Sequence, residues 1–168
     1  MTDPRLDGRL LAAVRKLRFG SGVILRHYHL PQSARIALLR DLRRICRRRG
    51  HLLFWAGTER QALRFGADGY HARTGTLGQS RLPRSAAAHN SREMLAARRV
   101  RAGLILLSPL YATASHPGAR VLGPARFRQL AGQNCGAALI ALGGMNAARA
   151  QMQNRRIVHG WAAISALA

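Results

Sequence analysis

Side chains able to bind anions or move protons recur in this sequence just after short apolar runs. GVILRHY (22–28) ends in Arg26, His27 and Tyr28, a second run ends in Trp55-Ala56-Gly57-Thr58, and a third ends in His71. Further on stand His89-Asn90 and then the loop SPLYATASHPG (108–118), which holds Thr113, Ser115 and His116. AALIAL (137–142) stops at Gly143-Gly144, and the last apolar run reaches Ile164 and Ser165. Bare amides of a double glycine beside a hydroxyl suit a phosphate, although a double glycine also fits a plain tight turn. A histidine that titrates near neutrality suits general acid–base work, whereas lone histidines such as His51 and His159 read as structural.

Carboxylates are the informative scarcity. There are six, Asp3, Asp7, Asp41, Glu59, Asp68 and Glu93, and only Asp3 and Glu59 fall near a predicted strand exit. A Mg²⁺ site needs carboxylate oxygens, so no metal ligands are predicted. The two cysteines, Cys46 and Cys135, lack CxxC or Cys/His spacing and read as small buried hydrophobes rather than a disulfide or zinc ligands.

The elements that must position these groups follow from periodicity. Leu6, Leu10, Leu11, Val14 and Leu17 mark an amphipathic helix ending at Phe19-Gly20. After a strand at 22–28, a helix beyond Pro31 carries Ile36, Leu39, Leu42, Ile45 and Cys46 on one face and stops at Gly50. A strand at 51–55, a helix at 59–65 closed by Gly66 and an extended run from Gly69 come next. Residues 74–85 read as loop. A short strand at 86–89 leads to Asn90 or Ser91, a natural N-cap for a helix to Val100. Strands at 103–108 and 137–142, helices at 124–130 and 145–152, and a final strand at 157–166 complete the pattern. Alternating strands and helices imply a parallel sheet with helical crossovers, and continuous apolar runs imply strands covered on both faces. Either a closed (β/α)₈ barrel or a doubly wound open sheet fits; no GxGxxG follows the first strand, so dinucleotide binding has no support.

The chain has 168 residues, 28 basic side chains against 6 acidic ones, and a formal net charge of +22. That charge raises nucleic acid as a partner. All but one of the basic residues are arginine, in company with abundant alanine and glycine, as in a composition biased by GC-rich codons. The cluster Arg43, Arg44, Arg47, Arg48 and Arg49 reads as a solvated helix face, and aromatics are too few to interleave with it, which argues against nucleic acid. No apolar run approaches the roughly 18 residues of a membrane span, and no signal-peptide pattern opens the chain, so the expected location is cytoplasmic.

The runs ADGYH (67–71), HNSREM (89–94), SPLYATASHPG with the following LGPARF (122–127), IALGGM (140–145) and AAISAL (162–167) together resemble thiamine phosphate synthase and its sister, the TenI-type thiazole tautomerase. The resemblance covers nearly the whole chain, from Asp3-Pro4-Arg5 to Ser165. It implies a (β/α)₈ TIM barrel as a single domain over 1–168, and a ligand that is thiazole phosphate or thiamine phosphate. The synthase couples hydroxymethylpyrimidine diphosphate to thiazole phosphate with Mg²⁺. Of its Gln-x-Arg-x-Lys pattern this chain keeps only Arg26, between Ile24 and Tyr28; where the family has Asn-Asp it has Ala56-Gly57, and the stretch holding a second metal-binding Asp contains no carboxylate. The Thr-x-Thr-Lys loop becomes Thr113, Ser115 and His116. Gly143, Gly144, Ile164 and Ser165 stand where the family holds the thiazole phosphate, and His89 stands where the tautomerase has its catalytic histidine.

The resemblance therefore implies a synthase family protein of thiamine biosynthesis, acting as a transferase or as a relative with a degraded metal site that binds the phosphorylated ligand. A TenI-like tautomerase using His89 as acid and base is the alternative, and a non-catalytic phosphate-ligand or nucleic-acid binder is the alternative of another class. Whether the chain is an enzyme is left open at this point. Mg²⁺ is the family's cofactor but its ligands are missing, and no other cofactor is implied. At 168 residues the barrel is short, its first strand reduced to residues 1–3 and its last helix truncated, so either the true start lies upstream or a seam is exposed that suits a homo-oligomer.

Overall fold

The structure is a computed structural model that describes all residues except 79, 114–117, 119, 134–135 and 165–168. The chain packs as two compact units, Met1–His71 and Ala72–Ala166.

In the first unit a 3₁₀ turn, Pro4–Leu6, precedes α1 (Leu10–Arg15), β1 (Gly22–Leu25), α2 (Gln32–Arg49), β2 (Leu52–Ala56), α3 (Glu59–Phe65) and the start of β3 (Gly69–Arg73). The single helix expected from Leu6 is broken because Gly8 takes φ +77° between its two pieces, a value foreign to a helix interior. Leu6, Leu10 and Val14 are buried all the same. The long α2 buries Leu39, Leu42, Ile45 and Cys46 as the periodicity requires, and its exposed face carries Arg44, Arg47, Arg48 and Arg49. Burial pushes the Cys46 thiol up to about 11, so it behaves as an inert apolar group. The strands run parallel, with Leu25 beside Trp55 and Ala56 beside His71, which brings the exits of β1, β2 and β3 level. Thr58 closes α3 with a capping box, its hydroxyl accepting from the Gln61 N–H while the Gln61 side chain accepts from the Thr58 N–H.

The second unit contains β4 (Arg84–Ala88), α4 (Ser91–Arg99), β5 (Leu104–Leu107), α5 (Gly123–Gly132), β6 (Ala138–Leu142), α6 (Ala147–Gln151) and β7 (Gly160–Ala162). These strands are also parallel neighbours in chain order. Strand β4 begins two residues before the expected Ala86, because Arg84 can be buried there: its guanidinium donates to the Val100 carbonyl (2.6 Å) and the Ser80 carbonyl (2.7 Å). The final strand is shorter than its apolar run, since Ile157 and Val158 both donate to the Asn154 carbonyl and form a turn instead. Helix α4 starts at Asn90, whose side chain accepts from the Glu93 N–H at 2.9 Å. Asn90→Ala is expected to cost about 1 kcal/mol, read as a lowered urea midpoint at unchanged slope.

Candidate functional site

In the first unit the exit of β1 is fixed by a buried polar chain. Thr2 donates its N–H to the Ile24 carbonyl and accepts the Arg26 N–H on Oγ1, both at 2.9 Å. The same oxygen lies 2.8 Å from His27 Nδ1, and His27 Nε2 lies 2.8 Å from Asp7 Oδ1. Asp7 is the acceptor there, so Nε2 carries the proton and Nδ1 accepts from the Thr2 hydroxyl. This pins His27 at φ +29°, and the turn sends Arg26 and Tyr28 outward.

Burial holds the His27 pKa below its usual value against the opposing pull of Asp7, and burial lowers His51 likewise. The unfolded chain therefore binds more protons than the folded one once pH drops below about 6.5. Stability is retained above that value and lost as pH falls through the window below it. The melting temperature is expected to fall between about pH 7 and about pH 5.5, and to fall less in His27→Asn, a residue that tolerates positive φ.

Arg35 is the feature that sequence reasoning missed. It shares the buried face of α2 with Leu39, Leu42 and Cys46, and that spacing was the available signal. Its Nη2 donates to the carbonyls of Leu25 (2.9 Å) and Ala56 (2.6 Å), the last residues of β1 and β2. The guanidinium lies 3.7 Å from the Trp55 ring centroid and 4.9 Å from that of Tyr28, with Arg26 5.9 Å from Tyr28. Burial lowers the Arg35 pKa from its ordinary value.

These residues do not fit Mg²⁺. Ala56 offers only a carbonyl, which accepts from Arg35, and the Gly57 N–H donates to the His71 carbonyl at 3.0 Å. Asp3 pairs with Arg5, Asp7 with His27 and His29, and Asp41 with Arg44, while Asp68 accepts from the Leu53 N–H. Among the described residues no group of three His, Cys, Asp or Glu side chains is placed to hold a metal ion.

In the second unit His89 follows β4, with the Ser108 N–H donating to the Ala88 carbonyl beside it. Glu93 Oε2 accepts from both the His89 N–H (2.7 Å) and the His89 ring Nδ1 (2.8 Å). Burial pushes the Glu93 carboxyl up, but the hydrogen bonds from His89 and Asn90 outweigh it and hold the group below its usual value. An ionised Glu93 requires the proton on Nδ1, leaving Nε2 as the basic nitrogen. The signal in the sequence was the i, i+4 spacing of His89 and Glu93.

Gly143 and Gly144 have φ +94° and +60° and lie against the backbone of the loop that leaves β5. The Leu110 N–H donates to the Leu142 carbonyl (2.9 Å) and the Tyr111 N–H to the Gly143 carbonyl (3.1 Å). Arg149 ties the two loops from outside, donating to the Gly144 carbonyl while its guanidinium sits 4.6 Å from the Tyr111 ring centroid. Among the described residues the N–H groups of Gly143 and Gly144 donate no hydrogen bond. Thr113 stands half-buried two residues beyond Tyr111, and Ile164 half-buried just after β7. Ser115, His116 and Ser165, with Cys135, lie outside the described residues.

The chain matches the family model of thiamine monophosphate synthase (TMP-TENI) over residues 1–167. A search of curated proteins finds no match. Thiamine phosphate pyrophosphorylase from Pyrococcus furiosus superposes with a TM-score of 0.78 at 25% identity, covering 98% of this chain and 83% of that one. Thiamine phosphate pyrophosphorylase from Bacteroides thetaiotaomicron gives a TM-score of 0.65 at 16% identity, covering 98% and 81%, a likeness of fold alone. The fold is thus the truncated TIM-barrel-like α/β architecture that the sequence implied, not the doubly wound alternative. No helix among the described residues is long and apolar enough to cross a membrane. With the match running through all but the last residue, the chain belongs to the thiamine monophosphate synthase family, whose work lies in thiamine biosynthesis.

Proposed function

We propose that this protein binds the phosphate of thiazole phosphate or thiamine phosphate through Gly143 and Gly144, with Ser165 adding a hydroxyl. Thr113, Ser115 and His116 would contribute further contacts to the same ligand. The observation that supports this reading is the pair of glycine amides, uncommitted among the described residues and held in positive φ against the β5 loop. In the family's coupling reaction, bond formation at the thiazole nitrogen expels diphosphate, and the charge that gathers on it must be stabilised. In this chain arginine side chains are the groups available for that task. Thiamine phosphate is expected to raise the melting temperature, and Ser165→Ala to remove most of that shift. An unchanged melting temperature in the wild-type protein would overturn the reading.

A second reading is favoured by one observation, the contact of His89 with Glu93. A histidine held with Nδ1 protonated and Nε2 open can take a proton from carbon and return it elsewhere, as a thiazole tautomerase must. Ultraviolet monitoring of a thiazole carboxylate phosphate decides it: conversion lost in His89→Gln supports the reading, and no conversion by the wild-type protein contradicts it.

A further inference from the structure

In the first unit the charge is segregated. Residues 9–18 and 40–49 hold ten of its fifteen basic side chains and one of its five carboxylates, Asp41, so the rest of the unit is close to neutral. A codon bias scatters arginines and does not gather them on one pair of helices. In the fold the two stretches meet: a groove of about 570 Å³ lies between α1 and α2, with Arg15, Arg44, Arg48 and Arg49 around Leu11 and Ile45. Asp41 is engaged by Arg44 at 3.3 Å, and Arg49 reaches the Leu17 carbonyl at 3.4 Å. Arg15 and Arg48 are exposed and make no side-chain hydrogen bond among the described residues. Like charges gathered in one groove repel, and a polyanion relieves that repulsion. The sequence sets no aromatic among these arginines, but the fold brings one. Phe19 follows α1, and its ring lies over Gly50 at the end of α2, so closely that a Cβ there would meet it at 2.7 Å. Phe19 is 77% exposed, which leaves its ring open to stacking.

We infer that the groove between α1 and α2 binds single-stranded nucleic acid without sequence preference, its arginines meeting successive phosphates and Phe19 stacking on a base. Guanidinium forks match phosphate oxygens two at a time, and a charged groove with an aromatic at its end is the arrangement that single strands use. The concave shape sets this partner apart from an anionic bilayer, which lies against a flat or convex face. The exposed ring sets it apart from an acidic peptide, which has no base to offer Phe19. The groove is lined by helical residues alone. The inference therefore stands independently of the Gly143-Gly144 reading.

Fluorescence anisotropy of a dye-labelled oligo-dT of about twelve nucleotides tests it. Saturable binding is expected at about 50 mM salt, with a midpoint of about 1–100 μM, and log K is expected to fall with log salt at a slope of about −3, roughly −0.7 for each of four phosphates. Arg15→Gln with Arg48→Gln, one from each helix, is expected to weaken binding about tenfold or more and to make the slope shallower by about 1.4. The control removes the same charge elsewhere: Arg155→Gln with Arg156→Gln, both exposed in the second unit, is expected to change the midpoint by less than about twofold. Phe19→Ala is expected to weaken binding by about fivefold or more at an unchanged slope, because stacking carries no charge. If the double arginine variant does not fold, Phe19→Ala and the control pair decide. No saturable binding, equal weakening by the control pair, or an unmoved midpoint in Phe19→Ala would each overturn the inference. Poly-glutamate or phosphatidylglycerol vesicles of matched charge that compete as well as unlabelled oligo-dT would assign the groove to an acidic chain or a lipid surface, and would overturn it as well.

Discussion

Gly143→Ala is expected to destabilise the protein by about 2–4 kcal/mol and to remove the thiamine phosphate response together with it. At φ +94° an alanine is strained by about 1–3 kcal/mol before any neighbour is considered. Its Cβ would then meet the Cα and Cβ of Pro109 at 2.7 Å, and backbone cannot step aside as a flexible side chain can. Because the Leu110 and Tyr111 N–H groups bond to Leu142 and Gly143, pushing Pro109 away also loosens the loop that leads to Thr113. Urea unfolding with the midpoint read at constant slope measures the cost. Gly144→Ala relaxes more easily in φ but places its Cβ 2.5 Å from the Ala112 carbonyl oxygen, so it too is expected to be destabilising. Wild-type stability in Gly143→Ala would mean that the two loops do not pack as described.

Trp55→Ala is the second large effect, about 3–5 kcal/mol. The side chain is 1% exposed, meets Phe65 edge-on at 5.1 Å, and donates its indole N–H to Gln61 at 3.2 Å. Removing it leaves a cavity, and it also strips the Arg35 guanidinium of its closest ring. A buried charge that loses its supporting surface admits water or moves, so the first unit is expected to lose amide-exchange protection at β1 and β2 before the second unit loses any. Trp55→Phe keeps a ring under Arg35 and is expected to cost clearly less. A Trp55→Ala protein as stable as the wild type would show that this residue does not carry the packing of that end of the strands.

Much of the architecture was legible because local and tertiary preferences agree. Helix α2 ends where Gly50 allows, α3 begins at its Thr58 capping box, α4 begins at Asn90, and β5 is apolar throughout because both faces are covered. The misjudged ends have identifiable causes. Gly8 divides the first helix, and Asn154 draws Ile157 and Val158 into a turn.

The candidate site was legible in its positions but not in its connections. Arg26, His89 and Gly143-Gly144 were picked out in the sequence as they stand. Arg35 was not, because in a chain of net charge +22 one more arginine carries no weight by itself. What makes it exceptional is burial against two carbonyls from different strands, a tertiary fact. The link between Arg149 and the Tyr111 ring is of the same kind, since neither residue marks the other in the sequence.

Calorimetric titration of thiamine phosphate against thiamine, on the same protein in EDTA, tests the account most directly. Thiamine phosphate is expected to bind saturably without metal, and thiamine to bind more weakly by about tenfold or more, or roughly 1.4 kcal/mol, for want of the phosphate. Equal affinity for the two, or no heat with either, would contradict it.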